Sequence, residues 1–298
     1  MPNNFFTPVQ AARSSLAALR WVTTLPRTVH RDAETDFVPG LGAVVNVRNP
    51  IDAGEARTYS QADRDAKREI VLDNLSETTV PVKLDTHLYK AVGLSDEDLT
   101  LNISDFERQV LRPQTESVAK SLPNPLIANM VAIAGDPGTV MSADGANALK
   151  VITRARRILN SRQVPLDQRW LALGVGLAEA VCNLPQITEA DKSGTDGALR
   201  EGIVGRLRGF TLVEDPHLPE DVGVAYHRDA FAFVSRPPAN PSGATRSETV
   251  AADGFSVRWI QDYDPRFLMD RSVVSAFVGA TTLDAKRAIK ITTASTTP

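Results

Sequence analysis

The sequence feature that most constrains the fold is a long polar stretch between two short apolar alternations. Valines alternate with polar residues in AVVNVRNP (43–50), IDAGEARTYSQADRDAKRE (51–69) is polar and mixed in charge, and alternation resumes over 70–72 and over 80–84. Strict alternation predicts β-strands, so the pattern indicates a long, two-stranded projection. Such a hairpin is only marginally stable alone in water, and its unpaired strand edges are stable when another surface covers them. We therefore expect the chain to lie against a neighbour, as an assembly protein does.

The rest of the chain mixes helical and strand patterns in no regular order. Apolar spacing predicts a helical region at about 104–134, in which Pro113 causes a kink or a restart, and a further helix at 144–160. Strand patterns occur at 170–174, 226–235, 254–264 and around a turn at Asp284. Because helices and strands do not alternate as βαβα units, the sequence predicts an α+β fold.

Composition is that of an ordinary globular protein. Of the 298 residues, 42% are hydrophobic and 23% are charged, which is enough for a real core. The net charge of −3 argues against a protein that binds nucleic acid over its whole surface. The sequence has neither a long apolar run nor a basic start followed by one, so we expect no membrane span and no targeting segment. The single cysteine, Cys182, is expected to be a small buried side chain.

The first thirty residues are basic although the chain as a whole is acidic. They contain Arg13, Arg20 and Arg27 and no acidic residue. This pattern is typical either of a solvated terminal helix or of a segment that faces a polyanion or an acidic partner. The second interpretation includes a protein that binds nucleic acid through this arm.

A glycine-rich basic stretch, Leu199–Pro219, is the strongest candidate for a phosphate-binding loop. Its glycines are Gly202, Gly205 and Gly209, and they lie among Arg200, Arg206 and Arg208. A dinucleotide loop follows a strand and opens a helix, whereas here the strand pattern follows the glycines, and a Walker loop needs Gly-Lys-Ser/Thr. We expect a short helix or a turn that ends with Gly209 as its C-cap and is followed by a strand, which is a helix-to-strand corner in its helical form. Nucleotide binding by this stretch is the alternative hypothesis.

No catalytic or metal-binding motif is visible. The histidines His30, His87, His217 and His227 are scattered, and there is no pair of cysteines or of closely spaced histidines. The acidic group Asp262, Asp264 and Asp270 is more typical of a solvated turn than of a cation site, and His227-Arg228-Asp229 lacks a nucleophile motif. We therefore expect no catalytic residue, no metal, no cofactor and no enzymatic activity.

Seven stretches, taken together and in order, carry a resemblance to a known family. They are FTPVQAARSSLAAL, GLGAVVNVRNP, DFERQVLRPQTESVA, LKVITRARRILNSRQVPLDQRWLALG, LREGIVGRLRGFTLVED, YHRDAFAFVSRP and GFSVRWIQDYD. The ordered set resembles the major capsid proteins of tailed phages with the Hong Kong 97-like fold. Within that family it is most similar to the coat protein of the Salmonella-infecting podovirus, without the large inserted domain of that protein.

The resemblance implies a layout in five segments. These are an N-terminal arm (1–36), an extended loop (37–72), a peripheral domain (73–141) with a long spine helix at about 104–134, an axial domain (142–249) and return strands of the peripheral domain (250–298). In this family, five or six subunits meet around their axial domains, and the extended loop lies across the peripheral domain of a neighbour.

The resemblance also implies function and partners. The chain would be a coat protein that self-assembles into pentamers and hexamers of an icosahedral shell around double-stranded DNA, which it contacts without reading sequence. A scaffolding protein, a portal at one vertex and a decoration protein would be its partners. Assembly would take place in the host cytoplasm and the product would be the virion capsid, first as a procapsid that expands. We expect no covalent cross-link, because no Lys, Asn and Glu triple can be assigned.

The contact residues implied by this layout fall into three sets. In the extended loop they are Arg48, Pro50, Arg57, Tyr59, Arg64 and Lys67. In the axial domain they are Arg200, Arg206 and Arg208, read as partners of a neighbour's acidic residues. In the arm, facing the interior or a neighbour, they are Arg13, Arg20 and Arg27.

Overall fold

A computed structural model describes residues 24–32, 44–48, 56–72, 79–98, 106–142, 145–184, 203–252 and 255–294. Its α-helices are α1 (Thr24–Arg27), α2 (Gln61–Asp65), α3 (Arg112–Ser121), α4 (Asn124–Val131), α5 (Ala148–Ser161) and α6 (Val175–Cys182). Its strands are β1 (Val44–Arg48), β2 (Thr79–Lys83), β3 (Thr86–Ser95), β4 (Gly135–Met141), β5 (Arg169–Leu173), β6 (Ile203–Leu207), β7 (Phe210–Glu214), β8 (Val222–His227), β9 (Phe231–Arg236), β10 (Arg246–Ala252), β11 (Phe255–Asp264), β12 (Met269–Thr282) and β13 (Ala288–Thr293). Within these ranges, no helix is both long and apolar enough to span a bilayer. The mixture of helices and strands confirms the predicted α+β class.

Six strands form the larger sheet, in the order β4–β13–β8–β5–β7–β6. Helices α5 and α6 cover one face, where Ile152, Ala155 and Leu159 of α5 are buried in one core cluster with strand residues such as Leu171 and Ile289. The opposite face contributes side chains to a second core cluster. Because both faces are covered, every residue of β8 is buried, which explains why its sequence VGVAYH is mostly apolar.

A five-stranded sheet has the order β10–β11–β12–β3. Strand β9 is its fifth strand: β11 pairs with the first half of β12, and β9 pairs with the second half. Helices α3 and α4 pack against β12, and α3 also packs against β3. Their buried side chains share the second core cluster with Val224 and Tyr226 of the six-stranded sheet. The main core therefore lies between the two sheets, with α3 and α4 inside it.

The helical region predicted at about 104–134 is built from three consecutive helical pieces. A π-helical turn, Glu107–Leu111, leads directly into α3, and α4 follows after Leu122 and Pro123. Pro113 and Pro125 lie in the first turns of α3 and α4, where a missing backbone N–H costs no helical hydrogen bond. The prolines thus restart the helix, as Pro113 was expected to do.

Of the two alternations predicted to follow the polar stretch, the one at 80–84 forms a strand and the one at 70–72 does not. β1 pairs antiparallel with β2, from Val44 opposite Lys83 to Arg48 opposite Thr79. The alternation at Ile70 and Leu72, predicted to be a strand, is exposed and pairs with no strand. The strand prediction at 70–72 was wrong because the alternation of three residues shows which side chains share a face, but not whether a neighbouring strand pairs with them.

The predicted strand 226–235 is also interrupted. β8 ends at His227, a 3₁₀ turn covers Arg228–Ala230, and β9 begins at Phe231. The Nδ1 atom of His227 accepts a hydrogen bond from the Asp229 amide at 3.2 Å, which caps the turn. The turn sends the chain from the six-stranded sheet into the five-stranded one.

The two sheets take strands from several of the expected segments. β4, from segment 73–141, and β13, from segment 250–298, both belong to the six-stranded sheet. β9 and most of β10, from segment 142–249, belong to the five-stranded sheet. The chain therefore crosses between the sheets more often than a division into consecutive segments suggests.

Candidate assembly surfaces

The tip of the projection is organised around helix α2. The Ser60 hydroxyl accepts from the Asp63 amide at 3.3 Å, and the Asp63 carboxylate accepts from the Ser60 amide at 3.0 Å, so the two residues form a capping box. The hydrogen bonds from Ser60 hold the pKa of Asp63 below its usual value. The helix exposes all but one of its five side chains, so its sequence specifies it by capping rather than by burial.

The predicted contact residues of the loop differ in what they do within the subunit. The Tyr59 hydroxyl donates to the Arg68 carbonyl at 2.8 Å, which ties the two legs of the tip together. Arg57, Arg64 and Lys67 are exposed, and Lys67 has a positive φ of 47° at the end of the helical turn. Arg48 is the last residue of β1. Pro50 lies outside the described residues.

An exposed apolar run follows the tip. The exposed fractions are 74% for Ile70, 59% for Val71 and 88% for Leu72. Consecutive exposed β-branched and leucine side chains are uncommon on a monomer surface and typical of a surface that another molecule covers. Sequence reasoning assigned these residues to a strand and so missed that they are uncovered.

The base of the projection is anchored to the body of the protein. Val82 of β2 is fully buried in a small cluster with Ala232 and Val234 of β9 and Leu283. Residues Val45 and Val47 of β1 pack against this cluster. The projection is thus attached to the body of the protein at its root.

The end of the predicted arm is packed into the core. Leu25 and Val29 are buried, and His30 forms a parallel bridge with Ala232 of β9. The Arg27 guanidinium lies 5.9 Å from the centroid of the Phe255 ring, and that of Arg31 lies 4.3 Å from it. Both distances are within the range of a cation–π contact. Arg13 and Arg20 lie outside the described residues.

A cluster of charged and polar side chains that sequence reasoning missed surrounds this segment. Asp229 lies 3.6 Å from His30 and 3.6 Å from His227, and 3.4 Å from Arg287. Asp32 pairs with Arg228 at 3.2 Å. Burial keeps the pKa of His227 below its ordinary value. Since these residues come from three distant parts of the chain, no local spacing could have revealed the cluster.

The glycine-rich stretch is a β-hairpin, so the expected helix-to-strand corner was wrong. β6 and β7 pair antiparallel through a tight turn at Arg208 and Gly209, whose φ angles are +52° and +88°. Two positive φ values at a two-residue turn are typical of a type I′ hairpin, which favours Gly at the second position. A hairpin presents no helix N-terminus to a phosphate. Gly202 and Arg200 lie outside the described residues.

The other candidate groups are engaged separately. Asp262 accepts from Thr245 at 2.9 Å, Asp270 accepts from Gln261 at 2.8 Å, and Asp264 pairs with Arg271 at 3.4 Å. Across the described ranges, no three His, Cys, Asp or Glu side chains are grouped so as to hold a metal ion.

Cys182 is exposed, which corrects the prediction that it is buried. It is the last residue of α6, and the buried face of that helix is formed by Leu177, Ala178 and Val181. Partial burial raises the pKa of its thiol, and the nearby charge of Glu214 acts in the same direction. The thiol is therefore not activated as a nucleophile.

Known proteins share the fold more clearly than the sequence. No protein-family model and no curated protein matches the sequence. A structure from Mycobacterium phage Che8 is similar with a TM-score of 0.60 at 21% identity, over 89% of each chain. The capsid of cyanophage P-SCSP1u has a TM-score of 0.58 at 16% identity, over 85% of this chain and 84% of that one. The capsid of Ralstonia phage GP4 has a TM-score of 0.59 at 10% identity, over 94% of this chain and 91% of that one.

These likenesses extend over 85–94% of the chain at identities of 10–21%, so what is shared is the fold. The protein therefore has the α+β fold found in phage capsid structures.

Proposed function

We propose that this protein is the major capsid protein of a tailed phage. It self-assembles into pentamers and hexamers of an icosahedral shell that encloses double-stranded DNA. The observation that carries the proposal is the shared fold over 94% of the chain with a phage capsid. The uncovered projection, with its exposed Ile70–Leu72 run, supports it, because a shell subunit must offer surface that only a neighbour covers. The role is structural and not enzymatic.

The domain layout follows the family pattern, with the sheets as its cores. The peripheral domain is built on the five-stranded sheet and the spine formed by the π-helical turn, α3 and α4. The axial domain is built on the six-stranded sheet with α5 and α6. The extended loop is the projection that contains β1 and α2, and it lies across a neighbour's peripheral domain. Its exposed Arg57, Arg64 and Lys67 are the contact residues that this arrangement favours.

The partners are those that such a shell requires. A scaffolding protein guides assembly in the host cytoplasm, a portal occupies one vertex, and packaged DNA is contacted without sequence specificity. A decoration protein binds the finished virion capsid. These partners, and the relationship to the Salmonella podovirus branch, are supported by the seven sequence stretches rather than by the described contacts.

The direct experiment is to express the whole chain, with and without its scaffolding protein, and to image the product by negative-stain electron microscopy. We expect closed icosahedral particles. A monodisperse monomer under all conditions would contradict the proposal.

A sharper experiment changes only the exposed apolar run. In the variant Ile70→Ser/Leu72→Ser, we expect the yield of particles to fall strongly while the free energy of unfolding of the isolated subunit changes by less than about 0.5 kcal/mol, since exposed side chains contribute little to subunit stability. The control is Leu166→Ser, at another leucine that is 66% exposed. Normal particle yield from the double variant would show that this run contacts no neighbour.

A further inference from the structure

The six-stranded domain carries opposite charges at opposite ends of its strands. At one end, β6 and β7 turn through Arg208 and Gly209; at the other, β7 ends at Glu214, opposite Leu173 of β5. Five residues of β-strand separate these ends by roughly 13 Å, at about 3.3 Å for each residue. This exceeds the screening length of about 8 Å at physiological salt, so the ends act as independent surfaces.

The basic end consists of Arg156, Arg206 and Arg208, all of them exposed. The Arg156 guanidinium carbon lies 3.7 Å from the position that a Cβ at Gly209 would occupy, so α5 places this group against the hairpin turn. In the part of the chain that the structure describes, none of the three has a carboxylate within salt-bridge distance. The nearby buried Arg169 bonds to carbonyl and amide oxygens of Val164, Pro165 and Asn160. It is within electrostatic range of Arg156 and of the exposed Asp167, so the arginines outnumber the carboxylate at this end.

The acidic end consists of four exposed side chains. They are Glu179, Glu214, Glu220 and Asp221. The Leu177 amide donates to the Glu220 carbonyl at 3.2 Å, and the Gly174 amide donates to the Val222 carbonyl at 2.9 Å. These bonds fix the loop before β8 against the first turn of α6. None of the four carboxylates has a described Lys or Arg within salt-bridge distance.

The charge distribution distinguishes two kinds of contact between copies. In a twofold contact made through one end alone, that end meets itself, which would place Arg208 against Arg208 or Glu220 against Glu220. In a head-to-tail contact one surface meets the other, which closes into a ring. Since like charges at an interface cost several kcal/mol, the arrangement favours the head-to-tail contact.

We propose that the basic end of one copy docks on the acidic end of the next copy in a ring. The inference rests on the proposed assembly into pentamers and hexamers, and it names the acidic partner of Arg206 and Arg208. The charges steer the encounter and set the register. A second copy fits better than DNA, because docking between copies gives both ends an oppositely charged partner, whereas DNA would leave the acidic end without one.

The test reverses each end separately and then both ends together in the whole chain. Arg156→Glu/Arg208→Glu and Glu220→Lys/Asp221→Lys should each lower the assembled fraction, measured by sedimentation and negative stain, by about tenfold or more. The chain with all four changes should assemble to within about threefold of the wild type, because its ends are again complementary. The control for net charge is Arg246→Glu/Arg266→Glu, at exposed positions on β10 and on the turn between β11 and β12.

Four outcomes separate the inference from the function on which it rests. If the wild type forms shells and the Arg156→Glu/Arg208→Glu variant does too, the inference is wrong and the function stands. If each reversal abolishes assembly but the fourfold variant does not recover, the two ends are not partners. If the arginine variant assembles normally but loses salt-dependent DNA binding, the basic end faces DNA. A wild type that stays monomeric contradicts both.

A milder pair of substitutions keeps the test valid if a charge-reversed variant fails to fold. Arg156→Gln/Arg208→Gln removes the charge without introducing repulsion, and circular dichroism reports its folding. We expect its assembly rate to respond less steeply to added salt than that of the wild type. An unchanged salt response would overturn the inference.

Discussion

At the scale of single residues, a buried polar network joins the spine to the five-stranded sheet. The Gln114 side chain donates to the Ser272 carbonyl at 2.8 Å, the Ser272 hydroxyl donates to Gln114 at 2.7 Å, and the Trp259 indole donates to that hydroxyl at 3.0 Å. Gln114 and Ser272 are buried, so each lost bond would leave a polar atom unsatisfied. The network fixes the position of α3 over β11 and β12.

The variant Ser272→Ala tests this network. It removes the hydroxyl that satisfies both Gln114 and Trp259, so we expect the free energy of unfolding of the isolated subunit to fall by about 2–3 kcal/mol in urea denaturation. The control is Ser161→Ala, in which the lost hydroxyl is exposed, and there we expect a change below about 0.5 kcal/mol. Equal losses in the two variants would show that the network contributes nothing.

His227 makes stability depend on pH. Burial and the nearby Arg287 and Arg169 lower the pKa of His227 in the folded state, and the neighbouring carboxylates only partly oppose this. The folded state therefore takes up fewer protons than the unfolded chain. Its contribution to stability is complete above the unfolded pKa of about 6.5 and is lost as the pH falls through the lower, folded pKa.

The variant His227→Asn removes the titration but keeps a side-chain acceptor for the Asp229 amide. We expect its free energy of unfolding to fall less than that of the wild type between about pH 7.5 and about pH 5.5. Urea denaturation at the two pH values measures both differences. The same pH dependence in both proteins would assign it to other groups.

At the scale of elements, the turn of the β6–β7 hairpin depends on glycine. Gly209 has a φ of +88°, and an added Cβ would make only ordinary contacts with Arg156, so backbone strain alone decides the cost. We expect Gly209→Ala to lower the free energy of unfolding by about 1–2 kcal/mol. The control is Gly243→Ala, which enters open space in a loop and should change it by less than about 0.5 kcal/mol. A harmless Gly209→Ala would contradict the assigned turn.

At the scale of the whole molecule, the position of the projection depends on how closely β2 approaches β12. A Cβ at Gly279 would overlap the carbonyl oxygen of Lys83, a backbone atom that only a shift of β2 can move. We expect Gly279→Ala to cost about 3 kcal/mol and to accelerate hydrogen exchange in β1 and β2 while the six-stranded sheet stays protected. The control is Gly93→Ala, whose nearest neighbour is the flexible Met269 side chain at 3.3 Å. Unchanged exchange in β1 and β2 would show that the projection is positioned elsewhere.

Much of the local structure could be predicted from the sequence, and most failures have one cause. The helix expected at 144–160 is α5, and the strand expected at 170–174 is β5. The predictions at Ile70, Cys182 and the glycine-rich stretch were wrong because each rested on a few residues. Such short patterns do not show whether another part of the chain pairs with these residues or buries them. The same limit hid the contact of Asp229 with His30, since no local sequence pattern relates residues so far apart in the chain.

The sequence by itself determined the α+β class, the spine restarted at its prolines and a polar projection that begins at β1. These follow from backbone preferences and side-chain periodicity within a few residues, which act before any long-range contact forms. Only the tertiary structure decided that β2 completes the projection, that β4 and β13 join the six-stranded sheet, and that arginines and carboxylates collect at its opposite ends. Strand pairing and surface charge depend on segments far apart in the chain, whose meeting is decided by the packing of the whole core.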